Sequence, residues 1–274
     1  MPRIGSTPFA FPDFRGATRR LILINLAAYF VLLVVGFASP FQANRIGALL
    51  VFDPFTFVHG ALWQPLTYSF VHFGILGTLF ELLSLWFLAG FLEGFHNAKW
   101  VTGLYAVSVL GTAAAALALY AMSSTISPKL LGAPVPLYGC FGGIFGLLAA
   151  IGLLYGDTQF MLFPLPMGIK ARYLVAIYAL IAIAMLFSEQ RMYAFSQLGG
   201  ALAGLLFVRT APRHGISFLL SEGWYGMRNR YYRWKRRRAA RKFEVYMKKQ
   251  GRTVKFDGRG HRIDDDPSDK KRWN

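Results

Sequence analysis

Residues 138–155 read YGCFGGIFGLLAAIGLLY, eighteen residues with five glycines and not one charge. A helix in water needs a polar face opposite its apolar one, and this run has none. Its glycines suit a helix packed inside a membrane bundle, where close backbone approach replaces a hydrophobic drive between helices. Gly142 and Gly146 stand one turn apart, and the same spacing returns at Gly200 and Gly204. That repeat predicts a close seam between the two helices carrying them, with Gly199 removing a side chain at the same seam.

Five other runs approach the roughly 20 residues that carry a helix across about 30 Å of hydrocarbon. The six are 21–39, 65–90, 100–121, 138–155, 172–187 and 192–208. They predict an all-α integral membrane protein with a cytoplasmic N-terminal segment over 1–20 and a six-span bundle over 21–208. A basic juxtamembrane tail, partly amphipathic helix, follows over 209–257, and a disordered C-terminus over 258–274. The stretch 41–62 is broken by Asn44, Arg45, Asp53, Pro54 and His59, so it is expected to lie in the interface. A loop over 123–135 and a turn at 164–166 complete the punctuation.

Composition agrees. The chain has 274 residues, 55% hydrophobic and only 16% charged, whereas a soluble domain carries about a quarter charged residues. An ordinary soluble enzyme is therefore excluded. The net charge of +17 is uneven: 19 basic and 7 acidic residues lie after Thr210, against 11 and 6 before it. Positive residues favour the cytoplasmic side, which places both termini there. The run from Leu21 is too long for a cleaved leader and has no small-residue cleavage site after it, so it is expected to be retained. The single cysteine, Cys140, excludes an internal disulfide and a cysteine-built metal site; no metal and no cofactor are expected. No internal repeat of the kind found in transporter halves is present.

Polar residues inside spans are functional candidates by default. Following each span from its outer end, three sets converge on one outward-opening polar cavity: 63–72 with Glu81, 138–146, and 196–204. Within them stand WQPLTYSFVHFG (63–74), LSLWFLAGFLE (83–93), GCFGGIFGLLAA (139–150) and QLGGALAG (197–204). In order and spacing these resemble the rhomboid family of intramembrane serine proteases, of peptidase S54 type, over about 21–208. The resemblance implies a six-helix bundle in a bacterial inner membrane. It also implies a serine nucleophile at the head of the fourth helix, a histidine base before a glycine pair in the sixth, and second-span oxyanion partners.

Position by position, the sequence departs from that pattern. Phe141 stands at the nucleophile position, Gln197 at the base position, and Gly77 and Glu81 at the oxyanion positions; His72 is kept. A phenyl ring has no ionisable hydroxyl and an amide cannot exchange a proton as imidazole does, so serine catalysis by the family mechanism is impossible. Glu81 would also bring the wrong charge to a developing oxyanion. The expectation is a pseudoprotease: a binding cavity lined by His72, Glu81, Phe141 and Gln197 that holds transmembrane segments of client proteins. The alternative is an intramembrane endopeptidase of serine or cysteine type with a rearranged site using Cys140, His72 or Glu81. Against it, Cys140 lies one helical position, about 100°, from Phe141, and reads as a small buried hydrophobe. Glu81 reads either as a cavity anchor or as a carboxyl bonded to a hydroxyl such as Ser69 or Ser84.

In the tail, Trp224, Met227, Tyr231 and Trp234 recur at helical spacing, with Arg230 and Arg233 beside them. Such a stripe suits a helix on the bilayer, contacting anionic headgroups through its arginines. A topology signal followed by a solvated tail is the alternative. RNA also accepts basic runs with aromatics, but no RNA-binding motif is present and no specific nucleic-acid partner is expected.

Overall fold

The computed structural model describes residues 12–125, 135–161, 168–187, 191–210, 216–251, 255–256 and 262–263, and for 124–125, 160–161, 168, 216–227, 255–256 and 262–263 the backbone alone. Ten α-helices and two minimal antiparallel hairpins are found among them. The chain divides into two compact units, 1–216 and 217–274.

In the first unit α1 (Gly16–Ala38) is apolar from Leu21 onward but for Asn25, and only Ala17, Thr18, Leu21 and Asn25 are buried. The rest of it, from Leu23 to Phe37, leaves large hydrophobic side chains uncovered. Its start is capped from afar. Glu93 accepts the amides of Ala17 (2.8 Å) and Thr18 (2.9 Å) and the Thr18 hydroxyl (2.7 Å), so a carboxylate sits on the positive end of the helix. Two short helices follow, α2 (Pro40–Leu50) and α3 (Pro54–Val58). Each has proline at its first position behind a capping side chain, Ser39 and Asp53, the ordinary sequence signature of a helix start. They occupy the stretch expected at the interface.

The second span differs from its expected form. Instead of one helix over 65–90, the chain forms α4 (Gln64–Thr67) and a 3₁₀ turn (Tyr68–Phe70), then breaks. It restarts as α5 (Ile75–Glu93) behind Gly74, whose φ of 79° ends helical continuity. The break leaves His72 in extended chain rather than on a helix. Beyond it lie α6 (Ala98–Thr125), α7 (Phe141–Tyr155), α8 (Ala171–Met185) and α9 (Arg191–Thr210). Among the described residues three helices, α1, α5 and α6, are long and apolar enough to cross a membrane; α7 and α8, at 15 residues, are shorter. A hairpin, β1 (Gln159–Met161) with β2 (Gly168–Lys170), flanks the expected turn at 164–166, which lies outside the described residues, as does most of the loop over 123–135.

Helices α6, α7 and α9 form the centre of the bundle. The glycine seam is where the sequence put it: a Cβ on Gly204 would lie 2.7 Å from the Gly146 Cα, and one on Gly200 2.8 Å from the Gly142 carbonyl. Gly199 belongs to a different seam, against Ala115 of α6, because it is one position, about 100°, round the helix from Gly200. Around this centre pack Leu85, Leu92, Leu104, Ile144, Leu147 and Ile151, all fully buried. Between α5 and α6, His96 stacks on Trp100 with ring centroids 3.9 Å apart and bonds the Tyr155 hydroxyl at 3.1 Å. Partial burial lowers its pKa from 6.5.

The second unit contains α10 (Ile216–Lys249) and the hairpin of β3 (Lys255–Phe256) with β4 (Arg262–Ile263). The remainder of the segment expected to be disordered, like residues 1–11, lies outside the described residues.

Candidate functional site

A left-handed glycine positions the site. Gly139, with φ of 82°, donates its amide to the carbonyls of Tyr68 (3.1 Å) and Val71 (2.8 Å), which fastens the head of α7 to the broken second segment. The next residue, Cys140, comes to rest against Glu81 of α5. Glu81 Oε2 accepts the Cys140 amide at 2.9 Å and lies 3.5 Å from Cys140 Sγ. A Cβ on residue 139 would approach that oxygen to 2.5 Å, so glycine is required both for the backbone and for the carboxylate.

His72 completes the cluster from the opposite side. Its Nδ1 bonds the Phe70 carbonyl at 3.2 Å, and because a carbonyl can only accept, Nδ1 carries the hydrogen. Nε2 of a neutral ring is then a bare lone pair. It lies 3.4 Å from Glu81 Oε2, within ion-pair range but without hydrogen-bond geometry, and has no hydrogen-bond partner. All three residues are buried, and their ligand atoms lie within 4.8 Å of one another.

The other expected cavity residues form a separate group. Phe141 is half-buried, its ring 6.5 Å from that of Tyr193. Gln197 is buried on α9, and on the same helix the Tyr193 hydroxyl donates to the Tyr138 carbonyl at 3.3 Å. Gly77 belongs to neither group. The buried stripe of α5 runs through Thr78, Glu81, Leu82, Leu85, Leu88 and Leu92, and Gly77 falls off its edge with open space where a side chain would be.

Two readings of single residues change. Cys140 is buried in the core as expected, but it is not turned away from the polar residues, because it precedes the first turn of α7 and the helical rotation does not apply to it. Ser69 is not the partner of Glu81; its hydroxyl donates to the Leu66 carbonyl at 3.1 Å. The Gly139–Cys140 pair at a helix start was the available signal, since an amide there calls for an acceptor.

In the tail Tyr231 and Trp234 are exposed with Arg230 and Arg233, and their rings lie 6.2 Å apart. Arg238 covers Trp234 at 5.4 Å and Arg228 covers Tyr232 at 5.8 Å. The Trp224 side chain lies outside the described residues.

The family model described as "Eukaryotic integral membrane protein (DUF1751)" matches residues 23–217, more than two thirds of the chain. No curated protein matches the sequence. The match corrects two expectations. The rhomboid resemblance, with its peptidase S54 assignment, gives way to this family, because shared glycines and apolar runs are what any tightly packed membrane bundle selects. A bacterial inner membrane is likewise overturned by a eukaryotic family; the membrane itself stands.

Proposed function

We propose, for a chain that belongs to the eukaryotic integral membrane protein family DUF1751, a non-catalytic role: a six-span bundle that binds transmembrane segments of client proteins. The observation that carries it is Glu81 on the inner face of α5, with His72 of the preceding break against it, while the opposite face of α5 exposes Ile75, Leu76, Leu79 and Phe80. An apolar surface beside a buried polar anchor suits a helix that carries a polar group of its own. Hydrolysis is disfavoured because Phe141 and Gln197 offer neither nucleophile nor proton relay, and Cys140, the one thiol, is wholly buried.

Photocrosslinking from Leu79 and Phe141 in native membranes tests this. Client helices should be captured at both positions, and Glu81→Leu should reduce capture at Leu79. Equal capture in that variant would sink the anchor role. A cysteine-type endopeptidase is favoured by one observation, the closeness of His72 and Glu81 to Cys140. A thiol-directed activity probe that labels Cys140 in step with substrate cleavage would select that reading instead.

The tail adds contact with anionic headgroups. From Arg228 to Lys249 eleven residues are basic and one, Glu244, is acidic. Each basic residue near an anionic surface contributes about 1 kcal/mol. Hydrogen exchange over 228–249 in nanodiscs should be slower with anionic than with zwitterionic lipid, and the difference should vanish when Arg233, Arg236 and Arg237 are changed to glutamate.

A further inference from the structure

We infer that His72, Glu81 and Cys140 form a binding site for a thiophilic divalent cation, with zinc the metal that fits the donors best. Four observations lead there, and none rests on client binding.

The first is an orphan. His72 Nε2 is fully enclosed, has no hydrogen-bond partner, and is aimed at the cluster. It faces a carboxylate oxygen across 3.4 Å, so two acceptors confront each other with nothing donated between them. A cation bound by both resolves that arrangement.

The second is the ring's far side. Metal-bound histidines give their other N–H to a carbonyl or carboxylate, which fixes the tautomer and leaves the coordinating nitrogen bare. The Nδ1 contact with the Phe70 carbonyl does this for His72.

The third is spacing. Bonds of about 2.1 Å to nitrogen, about 2.0 Å to oxygen and about 2.3 Å to sulfur, at tetrahedral angles, put N and O about 3.4 Å apart and S and O about 3.5 Å apart. The observed His72–Glu81 and Cys140–Glu81 separations are 3.4 and 3.5 Å. The third edge, Nε2 to Sγ, needs about 3.6 Å. It is no longer than 4.8 Å here, within reach of a change in the Cys140 rotamer.

The fourth is charge. A divalent cation bound by one thiolate, one carboxylate and one neutral imidazole is electrically neutral. Such a site can stand inside an apolar bundle where an uncompensated ion could not. Binding releases the thiol proton of Cys140 and forms the metal–sulfur bond in its place. Sulfur, imidazole and carboxylate together suit zinc rather than calcium or magnesium, which take oxygen alone. Three protein ligands leave a fourth position open. A single cysteine cannot build such a site alone; the fold supplies the other two ligands from elsewhere in the chain.

Full-length protein purified in detergent, without chelator, should carry about one zinc per chain by elemental analysis. Replacing it with cobalt should give a thiolate-to-cobalt absorption band in the near ultraviolet. Cys140→Ser should abolish that band, and His72→Ala or Glu81→Gln should weaken cobalt affinity by at least about 10-fold. The unmodified protein decides the matter even if a variant fails to fold. A monodisperse, folded chain that takes up no cobalt band overturns the proposal, and so does a band that survives Cys140→Ser.

Discussion

At Gly139 the backbone enters a region closed to most side chains, and the missing Cβ leaves room for the Glu81 carboxylate. Gly139→Ala therefore meets two penalties at once, and we expect a loss of about 1–3 kcal/mol in unfolding free energy in detergent. Unchanged stability would show that the carboxylate does not need that space. Glu81 was legible in the sequence, because a charge inside a span announces itself. His72 was legible beside it, and the contact with Cys140 was not. Cys140 lies 59 residues away, and only the turn at Gly139 brings it there. His96 gives a second expectation. Burial lowers its pKa from 6.5, so the folded chain resists protonation more than the unfolded one. Its contribution to stability is present above pH 6.5 and is lost as pH falls through and below that value. Thermal unfolding between pH 7.5 and 5.5 should show a steeper decline for the native chain than for His96→Gln.

Helices were easier to read than their interruptions. The runs near α1, α6, α7 and α9 were visible because a bundle in lipid selects apolar residues all round, and the glycine spacing located the seam between α7 and α9. Two features escaped because periodicity averages over them. Gly74 splits the second segment with one backbone angle, and the step from Gly199 to Gly200 changes which neighbour a glycine faces. The seam makes a direct prediction. Gly204→Val would push a branched side chain into the backbone of Gly146 and should destabilise the bundle by about 1–3 kcal/mol. Leu202→Val, on the exposed side of the same helix, should cost far less. Parallel melting curves of the two variants separate packing from helix propensity.

Across the whole of the first unit, α5 holds the start of two other helices. Glu93 covers the first amides of α1 and Glu81 that of Cys140 ahead of α7. The two carboxylates are twelve residues apart, about 18 Å along the axis. Glu93→Gln keeps the shape but removes the charge at the positive end of α1, and should lower stability by about 1–2 kcal/mol, read by chemical unfolding. Neither pairing is local: 75 or 76 residues separate Glu93 from its partners on α1, and 59 separate Glu81 from Cys140. During synthesis α1 therefore leaves the ribosome with its leading amides unanswered and must wait for the far end of α5. Glu81 emerges before the helix it will hold. Translation delivers the acceptor late in one case and early in the other, so a chain whose residue 93 has cleared the ribosome before residue 140 emerges can close the first clasp while the second stands open.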